Sequence, residues 1–266
     1  MCRRCAYVAL KPLDRLSLVI NGKKDFPPLH LRRYVGPLRS FEMSGAEFMS
    51  YLRLIVNLQP DESLLDIGCG CGLMAIPLQE FLSRQARYEG LDVHEPSITW
   101  CRRHISSKHP NFKFRHIDVK SHAFNRRGRY AAEEFSFPYE DQAFDVILLK
   151  SVFTHMRPPA VDNYCRELSR LLSPKGRCLA TFFLLNDRQK ELAKTGGNKL
   201  HFNFGDDTWR YVYQNSPDSA VAYREDFVHS MLQKHGLSLR SPIIYGSWSG
   251  LSDGLSFQDM LLLQKQ

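Results

Sequence analysis

Between residues 64 and 73 the chain reads Leu-Leu-Asp-Ile-Gly-Cys-Gly-Cys-Gly-Leu, an apolar run that meets Asp66 and then passes through Gly68, Cys69, Gly70 and Gly72. Glycines at this spacing let a backbone turn sharply and approach a ligand with no Cβ in the way. The acid selects the ligand. Asp66 would repel a pyrophosphate, whereas S-adenosylmethionine (SAM) brings an ammonium and a sulfonium whose charge a carboxylate offsets. The spacing G-x-G-x-G also differs from the dinucleotide pattern G-x-G-x-x-G. Twenty residues after Gly72 a second apolar run, Tyr88-Glu-Gly-Leu-Asp, closes on Asp92, placed to accept both hydroxyls of a ribose. A third acid, Asp118, follows Phe112-Lys-Phe-Arg-His-Ile and could accept from an adenine amino group. Val93 and Val119, beside these acids, and Lys150, after Phe144–Leu149, are assigned to the same cofactor site. For proton transfer the candidates are His155, just beyond Lys150, and His201, since an imidazole takes a proton near neutral pH. No cluster of acids and histidines has metal-site spacing, so no metal is expected.

These positions need elements to hold them. Apolar runs at about 63–67, 87–92, 112–117, 144–150 and 177–185 predict strands, with two more at about 238–245 and 257–264. Helical patterns fall between most of them. Phe48, Leu52, Ile55 and Val56 predict a helix ending near Pro60, and Val161, Tyr164, Leu168 and Leu171 predict one from about Pro159 to Leu172, stopped by Ser173-Pro-Lys-Gly176. A further helix covers about 224–235. The fold class expected is α/β, a doubly wound, mostly parallel seven-stranded sheet with helices on both faces and a C-terminal antiparallel hairpin. Two connections exceed what a compact sheet needs: 119–138, and 186–222 with Phe202, Phe204, Trp209, Tyr211 and Tyr213. Their aromatic content argues for ordered, functional insertions. Residues 41–266 read as one domain and 1–40 as a basic extension or lid.

The extension carries nine Lys/Arg (Arg3, Arg4, Lys11, Arg15, Lys23, Lys24, Arg32, Arg33 and Arg39) against Asp14 and Asp25, so +7 of the net charge of +8 sits there. Clustered cations can meet nucleic acid or other anions, or simply be solvated. Cys2 and Cys5 form a C-x-x-C without the second pair that zinc requires. Seven cysteines, of which Cys101, Cys165 and Cys178 fall on apolar positions, fit a reducing compartment. No apolar run approaches the ~20 residues of a membrane span, and Tyr7–Leu10 is too short for a secretory signal, so a cytoplasmic location is expected.

From about 60 to 185 the sequence resembles the class I SAM-dependent methyltransferases. Asp66, Gly68, Gly70 and Gly72 stand where that family has its glycine-rich first motif, Asp92 where it has the ribose acid, and Asp118 where it has the adenine acid. Phe144-Asp-Val-Ile-Leu-Leu with Ser151-Val-Phe-Thr-His-Met is similar to its fourth-strand motif, and Leu171-Leu-Ser-Pro-Lys-Gly-Arg to the turn before its fifth. The resemblance implies SAM as cofactor and methyl transfer as the reaction. The fourth strand lacks the Pro-Pro-aromatic sequence of amino methylation on bases, and no Pro-Cys is present for cytosine carbon methylation. The expected acceptor is a hydroxyl of a small molecule, namely a sugar, glycan or secondary metabolite. An RNA methyltransferase using the basic arm, and a SAM-binding protein without catalysis, are the alternatives.

Overall fold

The computed structural model describes residues 11–23, 25–36, 41–194 and 196–266. The Cys2/Cys5 pair and Arg3, Arg4, Lys24 and Arg39 lie outside the described residues. In chain order the strands are β1 (Leu64–Ile67), β2 (Tyr88–Asp92), β3 (Phe112–His116), β4 (Phe144–Leu149), β5 (Leu172–Phe182), β6 (Leu184–Leu185), β7 (Phe204–Gly205), β8 (Trp209–Tyr211), β9 (Val221–Arg224), β10 (Leu237–Leu239) and β11 (Asp259–Lys265). Helices are α1 (Lys11–Ile20), α2 (Leu29–Arg32), α3 (Phe41–Leu54), α4 (Ala75–Leu78), α5 (Glu95–Cys101), α6 (Pro158–Leu171), α7 (Asp187–Lys194) and α8 (Glu225–Lys234). Seven strands form one mostly parallel sheet in the order β10-β11-β5-β4-β1-β2-β3. The α/β class is the one expected.

Two compact units divide the chain. The first comprises Met1–Asp61 with Cys69–Ile117, the second Glu62–Gly68 with Asp118–Gln266. In the first, β2 and β3 run parallel with Asp92 opposite His116. Behind β2, Tyr88 stacks on Phe112 with ring centroids 4.8 Å apart, and α3 buries Phe48, Tyr51 and Leu52 on one face, as 3.6-residue spacing dictates.

In the second unit β1 pairs in parallel with β4, placing Asp66 opposite Leu148. β4 pairs in parallel with β5. These strands read as continuous apolar runs because a parallel strand is covered on both faces. Their entry ends are clamped by polar pairs: Arg177 grips Glu62 through both guanidinium nitrogens, at 2.6 and 2.8 Å, and Ser63 donates its hydroxyl to Asp145 at 2.6 Å. Proline in the first turn starts α6, where its missing N–H costs nothing, and Val161, Tyr164, Leu168 and Leu171 are buried. The expected stop at Ser173–Gly176 takes another form. The strand already begins at Leu172, and those residues make an irregularity between Phe144↔Leu172 and Val146↔Arg177.

The terminal hairpin is antiparallel as expected, with Leu239 opposite Leu263. Its first strand is short. Pro242 has no N–H to give, so pairing lapses after Arg240, whose N–H still donates to the Leu262 carbonyl at 2.8 Å, and resumes as an isolated bridge between Ile244 and Met260. The second long insertion folds into a sheet of its own, β6-β9-β8-β7, in which β8 is antiparallel to both neighbours. It is ordered by a small core of Phe183, Phe202, Ala220, Ala222 and Trp248.

Candidate functional site

In the first unit the glycine turn carries positive φ at Gly70 (55°) and Gly72 (85°), and Gly68 in the second has 81°. A Cβ at Gly70 would collide with Val35, and one at Gly68 would stand 2.6 Å from Val152 Cγ2. The turn therefore needs glycine for both conformation and space. Gly70 N–H donates to Asp92 Oδ2 at 2.7 Å, and His94 N–H donates to Asp92 Oδ1 at 2.7 Å. Asp92 and the glycine turn are thus joined directly. Burial raises the Asp92 carboxyl above the usual carboxylate range, while these amides and the nearby His116 draw it down. His116 also places Nε2 3.2 Å from the Val93 carbonyl oxygen. Cys69 and Cys101 both direct their thiols at the Gly70 carbonyl, at 3.7 and 3.8 Å.

In the second unit Asp66 is buried at the carboxyl end of β1. Beyond β4, Lys150 is half-buried and Ser151 takes a φ of 57°, uncommon for a residue with a side chain. Ser151 is held there. Its N–H donates to Thr181 Oγ1 at 2.8 Å, and its hydroxyl and that of Thr181 both donate to Gln258 Oε1, at 2.9 and 2.6 Å. Asp118 accepts from Asn125 Nδ2 at 3.2 Å, its backbone carbonyl accepts from Tyr130 N–H, and Val119 forms a parallel bridge with Tyr130. Residues of the first insertion thereby fold back onto the third acid.

The match to known proteins follows the same segment: a model of the family described as methyltransferase domain matches residues 64–176. Residues 64–176 are a class I, SAM-dependent methyltransferase domain. Around this domain the chain is similar over 219 residues, at 24% identity, to a ubiquinone biosynthesis O-methyltransferase of Roseobacter denitrificans, covering 82% of this chain and 75% of that one. It is also 25% identical over 214 residues to a tRNA N(3)-cytidine methyltransferase of Bos taurus, covering 77% of this chain and half of the bovine enzyme. A solved structure, the 1,6-didemethyltoxoflavin-N1-methyltransferase of Burkholderia thailandensis with 1,6-didemethyltoxoflavin and S-adenosylhomocysteine bound, superposes with a TM-score of 0.52 at 14% identity, over 100% of this chain and 91% of the other. That likeness is one of fold.

Both long insertions converge on the turn after β4. His155 places Nδ1 3.0 Å from the Asp218 carbonyl oxygen, and Phe124 packs edge-on against its ring at 5.6 Å. Asp218 is in turn held by Arg157 Nε at 2.9 Å, with His122 Nε2 at 3.7 Å. Burial lowers the His155 pKa below its ordinary 6.5, against the opposing pull of the Asp218 carbonyl and charge. The ring is therefore neutral near pH 7, and donation from Nδ1 to the carbonyl leaves the lone pair on Nε2. The buried hydroxyl of its neighbour Thr154 has no partner.

His201 lies elsewhere. It is exposed and lines a cavity of 850 Å³ that begins three residues past β5, at Leu185, and whose lining includes Leu200, Phe202 and Trp248, but not His155. Trp248 is buried, with Nε1–H donating to Asp259 at 2.8 Å. Asn198 Oδ1 is buried at this cavity without a partner. Gln258 and Asn198 carry no motif, and Ser151, read only as part of the fourth-strand motif, meets Gln258 across 107 residues of sequence, so local reading had no signal for that contact. Among the described residues no cluster of metal-binding side chains occurs, and no helix is long and apolar enough to cross a membrane.

Proposed function

We propose that this chain transfers the methyl group of SAM to a hydroxyl of a small polar acceptor, a sugar, glycan or related secondary metabolite. The cofactor's ribose is assigned to Asp92, its cationic end to Asp66, its adenine to Asp118 and Val119, and its backbone approach to Gly68, Cys69, Gly70 and Gly72, with Val93 and Lys150 alongside. The glycine turn fits the group, because its residues leave no Cβ between backbone and ligand and its Gly70 amide orients the ribose acid. Bound there, SAM supplies an electrophilic methyl that passes to the acceptor oxygen as the carbon–sulfur bond breaks.

The acceptor reading is carried by the 850 Å³ cavity. Leu185, Ala193 and Leu200 offer apolar surface, while Asn198, Asp207 and Arg210 offer hydrogen bonds. A quinone- or sterol-like acceptor would strip water from those polar groups without replacing its hydrogen bonds. An RNA strand is equally ill-suited, because the carboxylates of Asp187, Asp207, Glu225 and Asp226 outnumber the cations of Lys190, Arg210 and Arg224. A polyhydroxylated molecule satisfies both kinds of lining, and the unpartnered Asn198 Oδ1 calls for a donor such as a hydroxyl. We assign acceptor binding to His201, which lines the cavity, and proton removal to His155, whose tautomer and neutral charge suit a base for an acceptor hydroxyl that extends beyond that lining. The test is incubation with isotope-labelled SAM and a panel of saccharides, phenolic metabolites and RNA. Label in a hydroxylated small molecule is expected. Label in RNA alone would replace this reading, and SAM binding with no transfer would point to a non-catalytic protein.

A further inference from the structure

The N-terminal segment supplies something that no motif indicated. Residues 29–36 pass over the glycine turn of their own unit. The helix α2 is anchored at its start, where Asp14 accepts Leu29 N–H at 2.6 Å and Arg32 Nη2 at 3.0 Å. Leu31 is buried, and the next turn is tied by Tyr34 N–H to the Leu31 carbonyl and Val35 N–H to that of Arg32, both at 3.0 Å. The segment then makes two contacts. Val35 occupies the space in front of Gly70, so that even a single Cβ there would collide with it. Tyr34 packs on the ring of His94 with centroids 4.3 Å apart, and Arg33 lies over the outer face of the tyrosine at 4.6 Å while donating to its hydroxyl.

Gly70 and His94 are also the two residues whose amides hold the Asp92 carboxylate. The segment therefore rests on both supports of the ribose acid, and its valine fills the approach that a glycine at position 70 keeps open for a ligand. A cofactor and Val35 cannot share that space.

We propose that residues 29–36 form a strap that gates entry to the cofactor site, swinging on the Asp14 anchor to admit SAM, with Tyr34 and Val35 as the latch. This inference rests on the assignment of SAM to Asp92 and the glycine turn. Because Val35 and the cofactor exclude one another, the closed strap slows entry and weakens binding by the same factor and leaves release unaltered, whereas a fixed wall of the site would act on release alone. The experiment is surface plasmon resonance with S-adenosylhomocysteine on the intact chain and on Val35→Ala, Tyr34→Leu and Asp14→Asn, after thermal melting has confirmed folding. Association is expected to rise by about tenfold and Kd to fall by the same factor, with dissociation held within about threefold. Unchanged rates in variants that still bind would overturn the strap, as would a faster dissociation with association unaltered. Absence of binding by the wild-type chain would instead overturn the cofactor assignment itself.

Discussion

Asp92 receives two amide donors before any ligand arrives, and each of its oxygens keeps a further lone pair for a ribose hydroxyl. Losing hydrogen bonds to a charged group costs about 1.5–3 kcal/mol, so Asp92→Ala is expected to weaken SAM binding roughly 10- to 150-fold, read by calorimetric titration. An unchanged dissociation constant would remove Asp92 from the site. His155 makes a different demand. Its pKa lies below 6.5 because the ring is buried, so the acid limb of the kcat profile should fall below the pH at which an exposed histidine titrates. His155→Gln keeps a donor for the Asp218 carbonyl but has no proton-accepting nitrogen. Turnover should drop roughly 100- to 10,000-fold while SAM affinity stays within a few-fold, whereas His201→Ala should act mainly on the acceptor KM. If His155→Gln retains turnover within about tenfold, His155 is not the base.

At the scale of elements, the strands that end at the site are extended by a second sheet whose attachment depends on one buried acid. Asp259 accepts Leu184 N–H, Gly246 N–H and Trp248 Nε1–H at 2.7, 2.7 and 2.8 Å, joining the start of β6, the 246–249 turn and β11. Burial pushes its carboxyl up to about 7, against the pull of those three donors. Because this exceeds the unfolded value near ~3.9, the folded chain holds the proton more tightly between about pH 4 and 7. The contribution of Asp259 to stability is therefore greatest below that window and declines as pH rises through it. Thermal melting across pH 4–8 should show that decline in the wild type and a flatter profile in Asp259→Asn; parallel profiles would exclude Asp259 as its source. Trp248→Phe, which removes the Nε1–H donor and part of the buried ring system, should cost about 1–3 kcal/mol or more.

Across the molecule, the charge imbalance is less available than the count of basic residues suggests. Arg32 is paired with Asp14 at 3.0 Å, and Lys23 with Glu42. A nucleic-acid surface needs several free cations facing phosphates, with affinity that falls steeply as salt is raised. Filter binding to generic RNA is thus expected to show no appreciable affinity at physiological salt, and replacing the exposed Arg15 and Lys23 by Gln should change nothing. Salt-sensitive micromolar binding that those replacements abolish would reinstate the RNA reading.

The amino-acid sequence by itself determined the sheet and the cofactor turn, because both are written in local terms. Alternation of short apolar runs with helical spacing requires a parallel sheet, and Gly68, Gly70 and Gly72 act through backbone shape within a few residues of one another. The place of Asp92 at the end of β2 was legible for the same reason, since it closes a run whose strand character is plain. Only tertiary structure decided how the insertions are used. Phe124 and Asp218 reach the same histidine from two separate segments, and the aromatic residues Phe202 and Trp248 close a core instead of standing open to a ligand. It also decided that Tyr34 and Val35 lie on the supports of Asp92. Such contacts join residues tens of positions apart, and their energy comes from burial and geometry that no local period encodes.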